Sequence, residues 1–309
     1  MRNKGVRLLL LAAIFAVFFY LSYKEEDQAQ PALEESAAES APAESAASGS
    51  APSSARTGNE SVRLATWNLL NFGKSKTDEE VAFIADILRD FDVVALQEIN
   101  TGPDGAQTVA RLDAELDRRG AQWDYVVSDP TNSVGPERYA YLWKPSRAKL
   151  AGRPWLEVSL DDVIDREPFM ARFQNKQGSV QMLVASLHAV PRAKRPADEV
   201  AHLDELHRRY GADNLIILGD FNLAESHYAF DELKEAGYQP AIIDQKTSIR
   251  MRRKDGEHLA NEYDNIFYET ASLNASSSGV VDFTSEFRTL RQAREISDHI
   301  PVFMDVQWK

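Results

Sequence analysis

Two short segments in the second half of the chain combine residues suited to phosphate ester hydrolysis. Asp220 and Asn222 follow the apolar run 214–218, which is typical of a buried strand. Because strand side chains alternate, this ending presents a carboxylate and a carboxamide on one face: the first can accept a proton or align a water, and the second can donate to an anionic oxygen. In the other segment, Asp298 and His299 precede a further apolar strand. Together the segments indicate hydrolysis of a phosphate ester assisted by a divalent metal.

These residues need strands that end at one place, and the pattern from Val62 onward supplies them. Apolar runs alternate with amphipathic stretches, and the mixed order with several apparent hairpins predicts a layered α/β sandwich rather than a doubly wound sheet. No second domain boundary interrupts the pattern. The predicted strands are 62–68, 93–98, 125–127, 138–143, 150–158, 168–173, 180–188, 214–220, 264–268 and 300–307, and the predicted helices are 78–88, 106–119, 197–210 and 228–236.

Polar residues recur at the ends of these apolar strands or in the late segments. Any one of them alone has an ordinary explanation, such as a turn residue or a solvated carboxylate. Their repetition predicts a shared site, because open sheets place ligand sites at strand ends. They are Asn68, Glu98, Glu137, His188, Asp220, Asn222, Asp264, Asp298 and His299.

Five ordered motifs resemble those of the endonuclease/exonuclease/phosphatase superfamily. They are Thr66-Trp67-Asn68, Leu96-Gln97-Glu98, Gly219-Asp220-Phe221-Asn222, Tyr263-Asp264-Asn265-Ile266 and Ser297-Asp298-His299-Ile300-Pro301-Val302. Three further details resemble the deoxyribonuclease I branch, namely Asn71-Phe72-Gly73-Lys74-Ser75-Lys76, Glu137-Arg138-Tyr139 and Arg166-Glu167-Pro168-Phe169. The resemblance covers the chain from about Val62 to Val306. It implies a four-layer sandwich of two packed mixed β-sheets flanked by helices.

The resemblance also implies a metal site. Carried over position by position, Glu98 would ligate a divalent cation, with Asn68 and Asp298 close to it. Hard oxygen ligands suit Mg²⁺ and Mn²⁺ alike, so both metals stay open. The many carboxylates also leave room for structural Ca²⁺.

Two His–carboxylate pairs follow from the same resemblance. His188 would pair with Glu137, and His299 with Asp264. A carboxylate on one ring nitrogen fixes the tautomer and favours the imidazolium, which can protonate a leaving oxygen or stabilise negative charge on the phosphoryl group. Asp220 would orient or deprotonate the attacking water.

Substrate binding is predicted for Asn222 and Arg166 and for the only dense basic run of an acidic domain. That run contains Arg250, Arg252 and Arg253 and precedes the Asp264 motif. It predicts either a segment that overhangs the site and contacts phosphates or a solvated loop tip.

Two positions depart from the deoxyribonuclease I branch. Asn100 and Gly135 stand where that branch carries an arginine and a tyrosine that dock in the DNA minor groove. Their replacement removes a charge-assisted contact and a stacking surface, which weakens duplex binding by that route.

The first sixty residues differ from the rest. In residues 1–24, three basic residues precede an apolar run from Leu8 to Leu21, which predicts a signal anchor or, alternatively, a cleaved signal peptide. Residues 25–60 are rich in Ala, Ser, Pro and Glu, and predict a disordered linker. Either N-terminal interpretation exports the domain at 61–309 to the periplasm or the outside, with membrane contact through the N-terminal segment only, or as a secreted protein if the segment is cleaved.

Composition limits the chemistry further. The chain has no cysteine, which excludes disulfides, a thiolate nucleophile and Cys-ligated zinc. Its net charge is −13; the first sixty residues hold five of the 35 lysines and arginines and eight of the 48 aspartates and glutamates, which leaves −10 for the rest. That charge argues against binding nucleic acid through bulk attraction, while brief contact at a metal site stays open. We expect a monomer.

The sequence thus predicts a metal-dependent phosphodiesterase, with a deoxyribonuclease I-like endonuclease acting on DNA as the first hypothesis. The alternative is another phosphoesterase of the superfamily, such as a sphingomyelinase-like phospholipase C or a small-molecule phosphatase. A catalytically inactive binding module is disfavoured because every candidate catalytic and metal position carries its expected residue type.

Overall fold

The computed structural model describes residues 61–176, 178 and 181–307, and its framework is a pair of mixed β-sheets. The strands are β1 (Ser61–Phe72), β2 (Val93–Ile99), β3 (Asp124–Val127), β4 (Arg138–Trp143), β5 (Lys149–Leu150), β6 (Trp155–Leu156), β7 (Phe169–Gln174), β8 (Gln181–His188), β9 (Leu215–Asp220), β10 (Tyr238–Pro240), β11 (Ile249–Lys254), β12 (Glu257–Leu259), β13 (Asp264–Glu269), β14 (Asn274–Val280) and β15 (Val302–Gln307). The first sheet has the order β14-β15-β1-β2-β4-β3 and the second β10-β13-β9-β8-β7-β5, with β6 also beside β7. Each sheet contains one parallel pair, β1 with β2 and β8 with β9, among antiparallel neighbours.

Short helices connect the strands. They are α1 (Asp78–Leu88), α2 (Pro103–Asp117), α3 (Pro196–Val200), α4 (Asp204–Tyr210), α5 (Asp231–Glu235) and α6 (Leu290–Ile296). The longer ones start with recognisable signals. Thr77 and Glu80 form a capping box on α1, and Pro103 occupies the first turn of α2, where its missing N–H costs nothing.

Three buried apolar clusters separate four layers. The central one lies between the sheets and joins side chains such as Leu64 and Tyr141 of the first sheet to Val184 and Ile216 of the second. A second cluster packs α1, α2 and α6 on the outer face of the first sheet, and a third packs α3, α4 and α5 on the outer face of the second. The order helix, sheet, sheet, helix confirms the predicted four-layer α/β sandwich.

A buried polar bridge links the two sheets beside the strand ends. The amide nitrogen of Gln97 on β2 donates to Thr66 Oγ1 at 3.0 Å and to Ser186 Oγ on β8 at 2.9 Å. All three side chains are fully buried. Because unpaired buried polar groups are costly, this bridge favours one alignment of the sheets over others.

Several predicted elements are interrupted. The predicted helix 197–210 is wrong as a continuous helix, since α3 and α4 are separated by a turn with hydrogen bonds from residue i to i−3. Its buried side chains Val200, Leu203 and Leu206 are spaced by three, which suits that tighter turn better than a 3.6-residue repeat. The predicted strand 150–158 is likewise split into β5 and β6, and 228–236 combines a 3₁₀ turn with α5.

The structure also contains elements that the sequence pattern did not predict. β14 has the sequence Asn-Ala-Ser-Ser-Ser-Gly-Val and pairs with β15 at the edge of the first sheet. It has no apolar alternation because it is largely exposed. The basic run at 250–254 forms most of β11, which pairs with β12 in a separate two-stranded hairpin; the run is a strand and not a loop, although residues 251–254 are solvent-exposed as the alternative expected.

The predicted N-terminal segments 1–24 and 25–60 lie outside the described residues, so the signal anchor and the linker stay predictions. Within 61–176, 178 and 181–307, no helix has the length and apolar character needed to span a membrane.

Replacing Gln97 by Met should destabilise the fold by about 1–3 kcal/mol, because the shape is nearly kept while the hydroxyls of Thr66 and Ser186 lose their partner. The free energy of unfolding from urea titration measures this. Gln107→Met on the exposed face of α2 is the control and should change stability by no more than about 0.5 kcal/mol. Equal stability of the two variants would show that the bridge contributes nothing.

Candidate active site

The buried carboxylate of Asp220 is the centre of the candidate site. Its Oδ2 lies 3.5 Å from Nε2 of His188 and 3.6 Å from Nε2 of His299, and accepts a hydrogen bond from Asn68 Nδ2 at 3.1 Å. Its Oδ1 accepts from the backbone N–H of Asn222 at 2.9 Å. Two imidazoles and one amide therefore converge on a single carboxylate.

Strand register brings these residues together. His188 and Asp220 are partners at the ends of the parallel strands β8 and β9, and Asp264 faces Asp220 across the antiparallel pair β9 and β13. Gly219 has φ +139°, and a Cβ there would lie 1.9 Å from the carbonyl oxygen of Leu187. Only glycine allows β9 to approach β8 this closely while it turns Asp220 into the site.

The first His–carboxylate pair joins the two sheets. Nδ1 of His188 lies 3.0 Å from both oxygens of Glu137, which directly precedes β4. The Arg166 guanidinium forms an ion pair with Glu137 at 3.3 Å and donates to the carbonyls of His188 and Ala189. Burial alone would lower the pKa of His188, but Glu137 outweighs it and raises that pKa above its usual value. Burial would raise the pKa of Glu137, yet His188 and Arg166 hold it low.

The second His–carboxylate pair also joins the two sheets, but here the histidine lies beside the first sheet and the carboxylate on the second. Nδ1 of His299, which precedes β15, lies 2.7 Å from Oδ2 of Asp264 on β13. Thr247 Oγ1 donates to the same oxygen at 2.6 Å. Burial would lower the pKa of His299, but Asp264 and Asp220 raise it well above its usual value. The pair therefore holds an imidazolium beside Asp220.

Glu98 ends β2 in a left-handed conformation, with φ +60°. Its Oε1 accepts from Asn68 Nδ2 at 3.0 Å and its Oε2 from the backbone N–H of Asn71 at 2.8 Å. Burial raises its pKa, the charge of His188 partly offsets this, and the nearby charges of Glu137 and Asp298 raise it further. Glu98 is thus a carboxylate held close to other carboxylates. A hard divalent cation would suit this position, because its charge would relieve the repulsion between them.

The Ser297-Asp298-His299 segment is fixed to β1 and α6. Ser297 Oγ donates to the carbonyl of Asn68 at 2.6 Å, and Trp67 Nε1 donates to the carbonyl of His299 at 2.9 Å. The buried ammonium of Lys76 donates to two carbonyls at the end of α6, and Arg294 Nη2 contacts Asp298 Oδ2 at 3.2 Å. The loop is therefore held by hydrogen bonds from both sides.

Most predicted site residues lie in this one place, and some do not. Asn222 and Arg166 lie beside the site, although both donate to backbone carbonyls, Asn222 through Nδ2 to Ala189 at 3.0 Å. Their roles toward substrate stay predictions. Arg250, Arg252 and Arg253 are on the hairpin; Arg250 Nε donates to the carbonyl of Leu259, and the side chains of Arg252 and Arg253 are exposed and, among the described residues, form no hydrogen bond or ion pair with the Asp220 cluster. The residues that converge are Asn68, Glu98, Glu137, His188, Asp220, Asp264, Asp298 and His299.

Several supporting residues escaped the sequence interpretation. Tyr139 OH accepts from the backbone N–H of His188 at 3.2 Å, and Thr247 both donates to Asp264 and accepts its N–H. Lys76 and Tyr139 belong to the segments 71–76 and 137–139 that resemble the deoxyribonuclease I branch, and this resemblance is the signal that could have found them. Thr247 lies outside every motif, and nothing in the sequence indicates it.

Outside the site, one further acidic group lies within the described residues. Ligand oxygens of Glu225, Asp244 and Glu262 lie within 4.8 Å of one another, and burial together with the two neighbouring carboxylates raises the pKa of Glu262. Acidic clusters form on protein surfaces without an ion, so the predicted structural Ca²⁺ stays a prediction.

The chain is similar in sequence to proteins of known families. A sequence model of the endonuclease/exonuclease/phosphatase family matches residues 65–299. The chain belongs to this family. It is 27% identical over 263 residues to a deoxyribonuclease of Thioalkalivibrio sp. (strain K90mix), covering 79% of the chain and 70% of that relative. It is also 27% identical over 273 residues to deoxyribonuclease gamma of Rattus norvegicus, covering 81% and 86%. Within the family, these similarities support the deoxyribonuclease I-like branch.

Solved structures of family members share the fold. An endonuclease/exonuclease/phosphatase family protein from Bacteroides thetaiotaomicron superposes with a TM-score of 0.59 at 16% identity, covering 81% of the chain and 98% of that structure. The catalytic domain of human nocturnin gives 0.55 at 19% identity, covering 81% and 94%. A mannosyl-6-phosphatase from B. thetaiotaomicron gives 0.58 at 17% identity, covering 80% and 100%.

Replacing Glu137 by Gln keeps an acceptor for Nδ1 of His188 but removes the charge that stabilises the imidazolium. We expect the alkaline limb of the pH–rate profile to move to lower pH by about one unit, measured with bis(p-nitrophenyl) phosphate. Tyr139→Phe, which removes an uncharged contact to the backbone of His188, should leave that limb in place. An unchanged profile in the Glu137 variant would mean that the His188 imidazolium is not required.

Gly219→Ala should destabilise the protein by about 3 kcal/mol or more, because the added methyl overlaps the Leu187 carbonyl and the φ angle is unfavourable. Thermal unfolding measures the loss. Gly135→Ala, where a Cβ meets open space, is the matched control and should be neutral. A Gly219 variant as stable as the control would contradict the close approach of β8 and β9.

Proposed function

We propose that this chain is a metal-dependent phosphodiesterase that cleaves DNA as an endonuclease. The observation that carries the proposal is the convergence of two imidazoles, each with its own carboxylate, on the buried carboxylate of Asp220. In-line displacement at phosphorus needs a base for the entering water, a proton for the leaving oxygen and compensation of charge on the phosphoryl group. The Asp220 cluster supplies groups for all three.

Asp220 is the proposed base. Burial raises its pKa, His299 lowers it and Asp264 raises it again, with a net increase that makes it a better proton acceptor than an exposed aspartate. Its Oδ1 is fixed by the N–H of Asn222, so the carboxylate is already oriented. Oriented in this way, it can align an attacking water and accept its proton.

The two imidazolium groups are the proposed donors. Nδ1 of each ring is held by a carboxylate, and Nε2 of His188 and of His299 faces Asp220 Oδ2 at 3.5 Å and 3.6 Å. One can protonate the leaving oxygen while the other stabilises the developing charge. The amide of Asn222 keeps a second N–H for a phosphate oxygen after its bond to Ala189.

A divalent cation belongs to the proposal because of Glu98. Glu98 would hold it, with Asn68 and Asp298 beside it, and the ion would polarise a phosphoryl oxygen. The carboxylate and amide donors suit Mg²⁺ or Mn²⁺. The raised pKa of Glu98 among like charges supports this assignment.

Some observations support DNA as the substrate, and others weigh against it. The relatives named as deoxyribonucleases support it, as do the Glu137-Arg138-Tyr139 and Arg166-Glu167-Pro168-Phe169 segments. Asn100 and Gly135 weigh against minor-groove contact of the usual kind. Asn100 lies against Gly73, where an added Cβ would meet its amide, and Gly135 offers no ring to stack on a sugar.

The absence of these minor-groove contacts favours one alternative: another phosphoesterase of the family that acts on a smaller ester. The same Asp220 cluster would perform the chemistry, since nothing in it depends on the second phosphodiester substituent. A mannosyl-6-phosphatase is among the proteins of similar fold.

The proposal includes export of the domain. It rests on the basic residues before the apolar run from Leu8 to Leu21, which favour a cytoplasmic N-terminus and an outward-facing remainder. DNA degradation outside the cytoplasmic membrane is compatible with a domain free of cysteine, which needs no particular redox state.

The test is nicking of supercoiled plasmid by the full-length protein with Mg²⁺, with and without EDTA. We expect metal-dependent open circles, and losses of about 10²-fold or more for His188→Ala and for His299→Ala, because each removes a donor at the phosphate. His202→Ala on the surface, paired only with Glu205, is the control and should keep full rate. Full activity in either site variant would refute the mechanism. An intact plasmid with hydrolysis of small phosphoesters would favour the alternative substrate class.

A further inference from the structure

A basic groove lies between the β11–β12 hairpin and the segment that leads into α6. Its volume is about 280 Å³, and no carboxylate is among the described residues that line it. The lining residues are Met251, Arg252, Arg253, Thr284, Phe287, Arg288, Thr289, Leu290 and Arg291. Four arginines from two separate chain segments therefore face one space.

These arginines are exposed and available. Within the part of the chain that the structure describes, Arg252, Arg288 and Arg291 form no ion pair, and Arg253 donates only to the carbonyl of Gly256. Elsewhere most exposed arginines contact a carboxylate, as Arg195 does with Asp198. An unpaired cluster in a domain with a net charge of −10 costs electrostatic repulsion that a polyanion would relieve.

Two of the acidic groups near the groove have other partners. Asp282 is bonded to His258 of β12, and Glu257 lies 3.7 Å from Lys246. The hydrogen bond between His258 and Asp282 also connects β12 to the chain segment on the opposite side of the groove. These two carboxylates are therefore paired with basic side chains outside the groove, and the described residues that line it are without negative charge.

The hairpin begins at the active site itself. Ser248 bridges to His299, and the N–H of Ile249, the first residue of β11, donates to the carbonyl of Asp298 at 2.6 Å. Arg294 of α6 contacts both Asp298 and the carbonyl of Ile249. The groove and the Asp220 cluster are therefore parts of one continuous structure.

The groove also carries apolar surface. Met251 is half exposed, and Phe287 is partly exposed while its ring packs at 5.0 Å from that of Phe83. Guanidinium groups suit phosphate oxygens, and adjacent apolar side chains suit sugars and base faces. The combination fits a sugar–phosphate chain better than an isolated small anion.

We propose that this groove binds the phosphodiester backbone of a nucleic acid whose scissile phosphate lies at Asp220, an inference that rests on the proposed function. The arginines would supply contacts to phosphates in place of the minor-groove contacts that Asn100 and Gly135 cannot make. The groove contacts backbone, so it adds affinity without base specificity.

The test compares two charge-reversed proteins with the same net charge. One is Arg288→Glu/Arg291→Glu in the groove, and the other combines Arg118→Glu at the C-cap of α2 with Lys149→Glu on β5. Binding of a fluorescein-labelled duplex to the full-length protein is measured by anisotropy in EDTA over a series of NaCl concentrations. We expect the groove variant to bind roughly tenfold or more weakly, with a slope of log K against log salt smaller by about 2, while the control changes much less.

Hydrolysis of bis(p-nitrophenyl) phosphate with Mg²⁺ should be unchanged in the groove variant, since that substrate does not reach the groove. This activity also shows that the variant folds. Duplex binding equal to that of the control would overturn the proposal. So would retained duplex binding with lost binding to phosphatidylglycerol vesicles, which would assign the groove to an anionic lipid surface. A wild-type protein that binds duplex through the groove but leaves plasmid intact would refute the endonuclease and keep the groove.

Discussion

The site exists only because the two sheets are packed together, since each His–carboxylate pair has one member from either side. His188 ends a strand of the second sheet and its carboxylate, Glu137, precedes a strand of the first. His299 belongs to the first sheet and Asp264 to the second. Separation of the sheets would leave buried charges without partners, which is far more costly than an exposed broken ion pair. Packing of the apolar layer and assembly of the site are therefore one event.

Charge balance explains the arrangement of the cluster. Glu137, Asp220 and Asp264 are three buried carboxylates, and the imidazolium forms of His188 and His299 together with Arg166 supply three positive charges. The raised pKa of each imidazole follows from this balance. Glu98 lies beside this balanced group: Asn68 and Asn71 donate to its oxygens, and the like charges of Glu137 and Asp298 act on it against the opposite charge of His188. The position where negative charge is in excess is thus also the position where a cation is expected.

The sequence predicted what local periodicity and short motifs can encode. Apolar runs located β2, β8 and β9, with Asp220 at the end of β9 as predicted. Strand alternation does not extend to Asn222, which lies beyond the strand in a left-handed conformation. Sequence could not predict Thr247, because its value lies in a contact with Asp264 that only the fold creates. Nor could it predict β14, whose serines carry no apolar alternation and which is a strand because β15 offers an edge to pair with. Propensity is overridden at such places by tertiary contacts.

Tertiary contacts also decide the surroundings of the basic run at 250–254. As a result, the net charge of the domain does not predict the charge at this part of its surface. In sequence, 250–254 is an isolated stretch of five residues in an acidic domain, and bulk charge argues against nucleic acid binding. In the fold, two of its arginines meet Arg288 and Arg291, which are distant in sequence and unremarkable there. A field near the surface depends on charges within about 10 Å, the screening length at moderate salt, and not on the sum over the chain. A net negative domain can therefore repel polyanions over most of its surface and still attract one at a local group of arginines, such as the four that line the groove beside the β11–β12 hairpin.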